Sequence, residues 1–282
     1  MPPPLLCSVF ACPDKAAVSL QEKVPTPLPT PDAVVLCVNN NSSYWKWCDV
    51  VTAAWLSLGI TPHIFYISPT KPPDEVARNP HVIHVQYDGN VNTALLSQAG
   101  RLLFPALLRA HNNVLVADID MVPLPRAKWY FDRAQGQDAD ALIVMRKKAD
   151  QYMMAFNCAS PATWAKTFGL TNLTFTGVIE KLEEWLSKID YKLYGAGWGT
   201  DQDLLKRFAS KNKTVVLPPV ETYSLTSASD GTFKRRRIDR PSTFEIDRPS
   251  VAERQDVWYG SPNNDRNNSE FYIKIAWWLL EN

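Results

Sequence analysis

The sequence predicts an α/β fold, a mostly parallel central sheet flanked by helices. Three observations predict it. Short apolar runs, among them Ala33 to Val38, His63 to Ile67, Val82 to Tyr87 and the run within Asn113 to Pro123 that ends in two aspartates, read as buried strands. Segments of helical spacing alternate with them, as βαβ units require. The chain has 282 residues, 45% of them hydrophobic, enough for one large core or two small ones. We read a single domain over 32–282 behind a Pro-rich arm at 1–31.

Composition excludes several classes. A net charge of +1 argues against a dedicated nucleic-acid binder, which would carry a basic surplus. Cys7, Cys12, Cys37, Cys48 and Cys158 are odd in number, scattered and without C-x-x-C spacing. They read as reduced thiols of a cytoplasmic protein. No stretch is long and apolar enough to span a bilayer, and Met1 to Cys12 lacks the basic start of a signal peptide. The sequons at Asn172 and Asn212 carry no weight in that setting.

The elements follow in order. Pro25 to Pro31 reads as an extended polyproline arm on the surface, with an SH3-type ligand as the alternative. Ala33 to Val38 is the first strand, and the polar loop Asn39-Asn40-Asn41-Ser42-Ser43-Tyr44 follows its carboxyl end. In an open α/β sheet, nucleotides bind at such a loop. Amide side chains and an aromatic suit a nucleobase and ribose hydroxyls, so Asn39, Asn40, Asn41 and Tyr44 are nucleotide candidates; a loop followed by an N-cap is the structural alternative. Trp45 to Leu58 has helical spacing and ends at Gly59. His63 to Ile67 and Val82 to Tyr87 are strands, with a Pro-rich loop between them. Asn92 to Arg109 is a helix with a broad apolar stripe, Leu95, Leu96, Ala99, Leu102, Leu103, Ala106 and Leu107. Gln98 and Arg101, three apart, share a face of it.

The most informative stretch is Asn113-Val114-Leu115-Val116-Ala117-Asp118-Ile119-Asp120-Met121-Val122-Pro123. A buried strand would end in two carboxylates on one face, with Ile119 packed behind and Pro123 ending the strand. Carboxylates that close repel unless a cation lies between them. Their oxygens suit a hard divalent ion, Mg²⁺ or Mn²⁺, which usually comes with substrate phosphates. The structural alternative is a strand-end turn with a solvated second Asp.

Leu115 to Asp120 resembles the DXD motif of GT-A type nucleotide-sugar glycosyltransferases, and the fold-level resemblance runs from Asp32 to about Asn282. The length and pattern are also similar to the small cytosolic glycosyltransferases of large algal DNA viruses, one of which resembles a xylosyltransferase of the capsid glycan. The resemblance implies a Rossmann-like GT-A domain with a nucleotide half at about 32–122 and an acceptor half after it. It implies that Asp118 and Asp120 hold Mn²⁺ or Mg²⁺ on the diphosphate of a UDP-sugar. It implies that Arg101 touches the diphosphate or a metal-site carboxylate, and that Asn157, in the strand Tyr152 to Ala159, lies beside the donor sugar. A late metal ligand, usually His, is also expected. All four histidines (His63, His81, His84, His111) precede the motif, so Asp256, Asn264 or Asp265 would stand in, or water would.

Further along, Arg126 to Arg133 is loop or short helix, Ala141 to Met145 a strand, and Ala162 to Phe168 and Val178 to Ile189 amphipathic helices. In Tyr194-Gly195-Ala196-Gly197-Trp198-Gly199-Thr200-Asp201-Gln202-Asp203 a glycine-rich loop leads into a helix, with Thr200 as N-cap and Asp201 in the first turn. The helix N-terminus is expected to keep Asp201 ionised. That suits a base for a sugar hydroxyl, with Asp203 as second choice and Trp198 placed to stack on a sugar ring. Capping without chemistry is the alternative. Val215 to Leu217 is a late strand. Lys234-Arg235-Arg236-Arg237 and the twice-repeated Ile-Asp-Arg-Pro-Ser (238–242, 246–250) read as a solvated loop, or one that closes on a diphosphate. Phe271 to Leu280 is an aromatic-rich helix used for core packing, or else for shallow contact with a membrane surface.

The expected reaction moves a sugar, on the viral resemblance xylose, from a UDP-sugar to a hydroxyl of a glycan acceptor. The resemblance points to inversion with an Asp base; in a retaining enzyme Asp201 would instead touch the donor sugar. Two other classes compete. A nucleotidyltransferase uses the same Asp pair and metal, but a Gly-rich, Lys/Arg-bearing phosphate loop is missing after the first strand. A non-catalytic carbohydrate-binding protein would need no metal pair.

Overall fold

A computed structural model describes residues 26–123, 127–145, 147–148, 151–192, 195–218, 221–222, 233–237, 257–259 and 277. The central strand is β1 (Ala33–Asn39), buried on both faces. Its side chains alternate: Val34, Leu36 and Val38 enter one apolar layer, Ala33, Val35 and Cys37 the other. Parallel to it lie β2 (Thr61–Ser68) on one side and β4 (Val114–Val116) on the other, and β3 (Val82–Gln86), reached through the short helix α3 (Asp74–Ala77), pairs in parallel with β2. β6 (Leu142–Val144), β9 (Asn157–Ala159) and β10 (Thr214–Val216) complete a seven-stranded sheet of order β10-β6-β9-β4-β1-β2-β3. Only β9 runs against its neighbours, β4 and β6. The mostly parallel sheet flanked by helices that the sequence predicts is the architecture observed.

Strands β1, β2 and β3 step outward in one direction. The chain then returns and lays β4 on the opposite side of β1. The β1/β4 boundary is therefore the topological switch point, where the carboxyl ends of the strands leave a crevice.

The first apolar layer includes α2 (Cys48–Ser57), whose Val50, Val51, Ala54 and Trp55 are buried against it. Trp55 and Phe131 of α5 (Lys128–Asp132) meet there at 5.1 Å between ring centroids. The opposite layer holds α4 (Thr93–Gly100), α6 (Pro161–Phe168), α7 (Phe175–Leu186) and α8 (Thr200–Ala209). Trp164 of α6 donates its indole N–H to the Val114 carbonyl of β4 at 2.9 Å, which fixes that helix to the strand.

Several expectations are corrected. The helix expected at 45–58 is split into α1 (Ser42–Trp45), capped by Asn41, and α2; Gly59 follows in the left-handed region at φ 73°. The helix expected at 92–109 ends at Gly100. A turn and a short 3₁₀ segment, Phe104–Leu107, replace its second half, because Pro105 has no N–H and its ring excludes the preceding turn. The strand expected at 152–159 is two pieces, β8 (Gln151–Tyr152), paired with β7 (Lys147–Lys148), and β9. Between them Phe156, wholly buried, takes φ 70°.

The arm is no loose appendage where it is described. Leu28 is 1% exposed, receives an N–H from Gly136 at 2.8 Å and donates its own to Gln137 at 2.6 Å. Residues 1–25 lie outside the described residues. The Lys234 to Arg237 run, expected as loop, is strand in β12 (Phe233–Arg237) of a second sheet, order β11-β12-β13-β5. There β11 is Glu221–Thr222, β13 is Val257–Tyr259 and β5 is Met121–Pro123. The Ile-Asp-Arg-Pro-Ser repeats lie outside the described residues, as does the 271–280 segment except Trp277. Among the described residues, no helix is long and apolar enough to cross a membrane.

Candidate functional site

Two strand ends meet at the switch point. β1 runs to Asn39 and β4 stops at Val116. The Asp118-Ile119-Asp120 segment is not strand, as expected, but a turn closed by the Met121 N–H on the Asp118 carbonyl at 3.1 Å. The chain thereby changes sheets, and Met121–Pro123 becomes β5, antiparallel to β13. Pro123 does not stop the strand that begins at Val114; it is the last residue of the next one. Asp120 is 6% exposed and Asp118 keeps 28% of its side chain in solvent.

Arg101 organises the crevice. It caps the carboxyl end of α4, and its Nε donates to the Gln98 carbonyl at 3.2 Å. One terminal nitrogen donates to Asp118 and the other to Asp201 at 2.6 Å. Arg101 and Asp201 side chains are only 9% and 5% exposed. Burial opposes the guanidinium charge, but the two carboxylates outweigh it and hold the group charged more firmly than usual.

One cation between two carboxylates leaves a net negative charge, and the deeper carboxylate feels it most. Burial pushes Asp201 up to about 6, with Asp118 adding to the rise while Arg101 and the Gln202 N–H oppose it. The helix N-terminus was expected to keep this group firmly ionised; desolvation outweighs it. Oδ1 accepts the Gln202 N–H at 2.8 Å and Oδ2 accepts Arg101, so both oxygens are engaged.

The loop before α8 is a chain of tight turns: Lys192 N–H to Ala196 O at 2.7 Å, Trp198 N–H to Gly195 O at 3.2 Å, Thr200 N–H to Gly197 O at 3.2 Å. Gly197 sits at φ 75°, where a Cβ would lie 2.9 Å from Ile189 Cγ2. Gly199, not Thr200, is the N-cap of α8; the Thr200 hydroxyl donates instead to Gly197 O at 2.7 Å. Trp198 is half-buried, its ring 6.3 Å from that of Tyr191. Asp203 is exposed, since residues two apart on a helix do not face each other, and it does not join Asp201.

The asparagine loop is largely self-supporting. Asn39 Nδ2 donates to Thr93 Oγ1 at 3.3 Å, tying the end of β1 to the start of α4. Asn39 Oδ1 accepts the Asn41 N–H, and Asn41 Oδ1 caps α1 through the Ser43 N–H at 3.0 Å. Asn40 is exposed and Tyr44 half-buried. Asn157, in register with Val116, is wholly buried. Its amide nitrogen donates to Met153 O and Met154 O at 2.8 and 2.7 Å, and its side-chain oxygen has no hydrogen-bond partner among the described residues. Cys37, Cys48 and Cys158 are free and buried.

Among the described residues, no three His, Cys, Asp or Glu side chains are grouped to hold a metal. Asp118 and the nearly buried Asp120 carry hard oxygen donors, the type that suits a divalent cation whose remaining ligands are phosphate or water. The late candidates Asp256, Asn264 and Asp265 lie outside the described residues, as does Tyr194. The feature that sequence reasoning missed is the Arg101–Asp201 tie, which spans 100 residues and leaves no local signal.

No family model matches the chain, and no curated protein matches it. Among solved structures it is similar to the glycosyltransferase GlyE of Streptococcus pneumoniae, at TM-score 0.49 and 14% identity over 89% of this chain and 62% of that one. It is similar to the galactosyltransferase LgtC in complex with donor and acceptor sugar analogs, at TM-score 0.44 and 12% identity over 86% of this chain and 95% of that one. The bifunctional glycosyltransferase WbbM matches at TM-score 0.42 and 13% identity over 88% and 50%. This chain spans less than two thirds of the GlyE structures, 45% of one and 62% of the other. At these scores the likenesses carry no argument about activity, and the fold stands on its own strand order and register.

Proposed function

We propose that the chain is a GT-A type glycosyltransferase that moves a sugar from a UDP-sugar to a hydroxyl of a glycan acceptor. One observation carries the reading. Two carboxylates, Asp118 and Asp201, converge on a buried guanidinium beside the crevice where an open α/β sheet binds nucleotides. In this reading Asn39 to Tyr44 border the nucleotide, and Asp118 and Asp120 would hold Mn²⁺ or Mg²⁺. A cation there would neutralise the charge that develops on the leaving diphosphate. Arg101 fixes the Asp118 carboxylate, and Asn157 braces the turn beside β4 rather than touching sugar. Trp198 offers a ring to a sugar face. The proposed setting is the cytoplasm, and UDP-xylose is the first donor to try.

An inverting reaction needs a base, and a carboxylate raised to about 6 is tuned for the task. For Asp201 to serve, one of its two hydrogen bonds must yield to the acceptor hydroxyl. That both oxygens are engaged favours a second reading, retention of configuration with Asp201 positioning the donor side of the site. The anomeric configuration of the first-formed product, read by NMR, separates the two.

Calorimetric titration with UDP, GDP and UTP, with and without Mn²⁺, tests the function. Mn²⁺-dependent UDP binding is expected, and Asp120→Asn should lose it while remaining folded. Absence of nucleotide binding by the wild type, or full UDP affinity with Mn²⁺ in Asp120→Asn, overturns the reading.

A further inference from the structure

At the amino-terminal end of the sheet, away from the Asp118 crevice, two imidazoles face each other. His63 lies near the start of β2 and His111 in the loop leading into β4, with β1 between the two strands. Their Nε2 atoms are 3.0 Å apart and their rings lie at 75°. Both segments are braced. His63 is in ladder register with Val35 of β1. Next to His111, Asn112 and Asn113 donate their backbone N–H groups to the Asp32 carboxylate at 3.0 and 3.1 Å. The Asn113 amide donates to Pro29 O at 2.8 Å. The same Asp32 carboxylate lies 3.8 Å from His111 Nδ1, and 20% of the His111 side chain is in solvent.

Two Nε2 atoms this close cannot both carry a proton. Either one donates to the other, or both lone pairs turn to one cation. Nitrogens 3.0 Å apart, each at an imidazole–metal distance of about 2.0–2.1 Å, subtend an angle of about 94° at the metal. A tetrahedral angle would need about 3.3 Å between them. A right angle belongs to neighbouring corners of a square or an octahedron, the arrangement of Cu²⁺ and Ni²⁺ with nitrogen ligands. The Asp32 carboxylate lies near Nδ1 of His111, the ring nitrogen not engaged with His63.

We propose that His63 and His111 form an open two-imidazole site for a divalent transition metal of right-angle geometry, Cu²⁺ or Ni²⁺, with water at its remaining positions. Its donors are nitrogens on the opposite end of the sheet from the carboxylates of the proposed donor site, and it does not rest on the transferase reading.

The test is calorimetric titration of Ni²⁺ into the full chain, stripped of metal and carrying no added histidine tag. One Ni²⁺ per chain is expected. His63→Gln and His111→Gln should each weaken binding at least about tenfold, the loss of one of two ligands. His84→Gln should leave it unchanged, since His84 Nε2 faces Ser68 O at 3.2 Å elsewhere. If either glutamine variant fails to fold, Cu²⁺ electron paramagnetic resonance of the wild type decides: hyperfine splitting from two imidazole nitrogens is expected. Lack of Ni²⁺ binding, binding that survives either glutamine substitution, or a Cu²⁺ spectrum with fewer than two nitrogens overturns the proposal.

Discussion

Replacing Arg101 by Met removes one guanidinium and strands two carboxylates. Asp118, 28% exposed, can be resolvated by water; Asp201, 5% exposed, cannot. Breaking a buried pair by deleting one partner costs about 3–5 kcal/mol. With Asp118 relieved by solvent, the lower end, about 3 kcal/mol at pH 7, is expected. The loss should shrink by pH 5, because Asp201, already raised to about 6, rises further without Arg101 and is then neutral. The double variant Arg101→Met/Asp201→Leu fills the same space with apolar atoms and should regain most of the loss, to within about 1 kcal/mol of wild type. Urea denaturation followed by far-ultraviolet circular dichroism measures four chains, the wild type, Arg101→Met, Asp201→Leu and the double variant, and the cycle isolates the pair. A single variant within about 1 kcal/mol of wild type, or a double variant as unstable as the sum of its singles, would refute the reasoning.

Three further outcomes follow, two from Asp201 and one from the loop before α8. Because Asp201 binds its proton more tightly folded than unfolded, wild-type stability should gain on Asp201→Asn as pH falls from about 6 to about 4, by at most about 3 kcal/mol. Transfer that uses the carboxylate as base should fall about tenfold per pH unit over the same window, so stability and activity move in opposite directions. Gly197→Ala adds a Cβ at φ 75° and 2.9 Å from Ile189 Cγ2. It should lose about 1–2 kcal/mol in a urea midpoint comparison, where a glycine in ordinary backbone would gain stability.

Much of the scaffold is legible because its causes are local. β1 and β2 are written as apolar runs. α6 is bounded by Ser160 and Pro161 at its start and Gly169, at φ 64°, at its end. What escapes the sequence depends on distant partners. The Asp118–Asp120 turn looks like strand because nothing local says that Met121 pairs with Tyr259 in another sheet. Lys234 to Arg237 looks like loop because no neighbour in sequence supplies the ladder that β13 provides. The break in α4 was local and readable, at Pro105. The site was half legible: Asp118, Asp201 and Arg101 are each distinctive in type and position, but only folding puts one guanidinium between two acids that lie 17 and 100 residues from it.

The strand that follows Asp120 is braced by Val257–Tyr259. A ribosome delivers the acidic turn long before it delivers that brace. A nascent or clipped chain ending ahead of Val257 therefore holds both carboxylates on a turn whose outgoing strand has no neighbour on that edge. The pairing that holds the outgoing strand of the acidic turn therefore waits for synthesis of Val257–Tyr259.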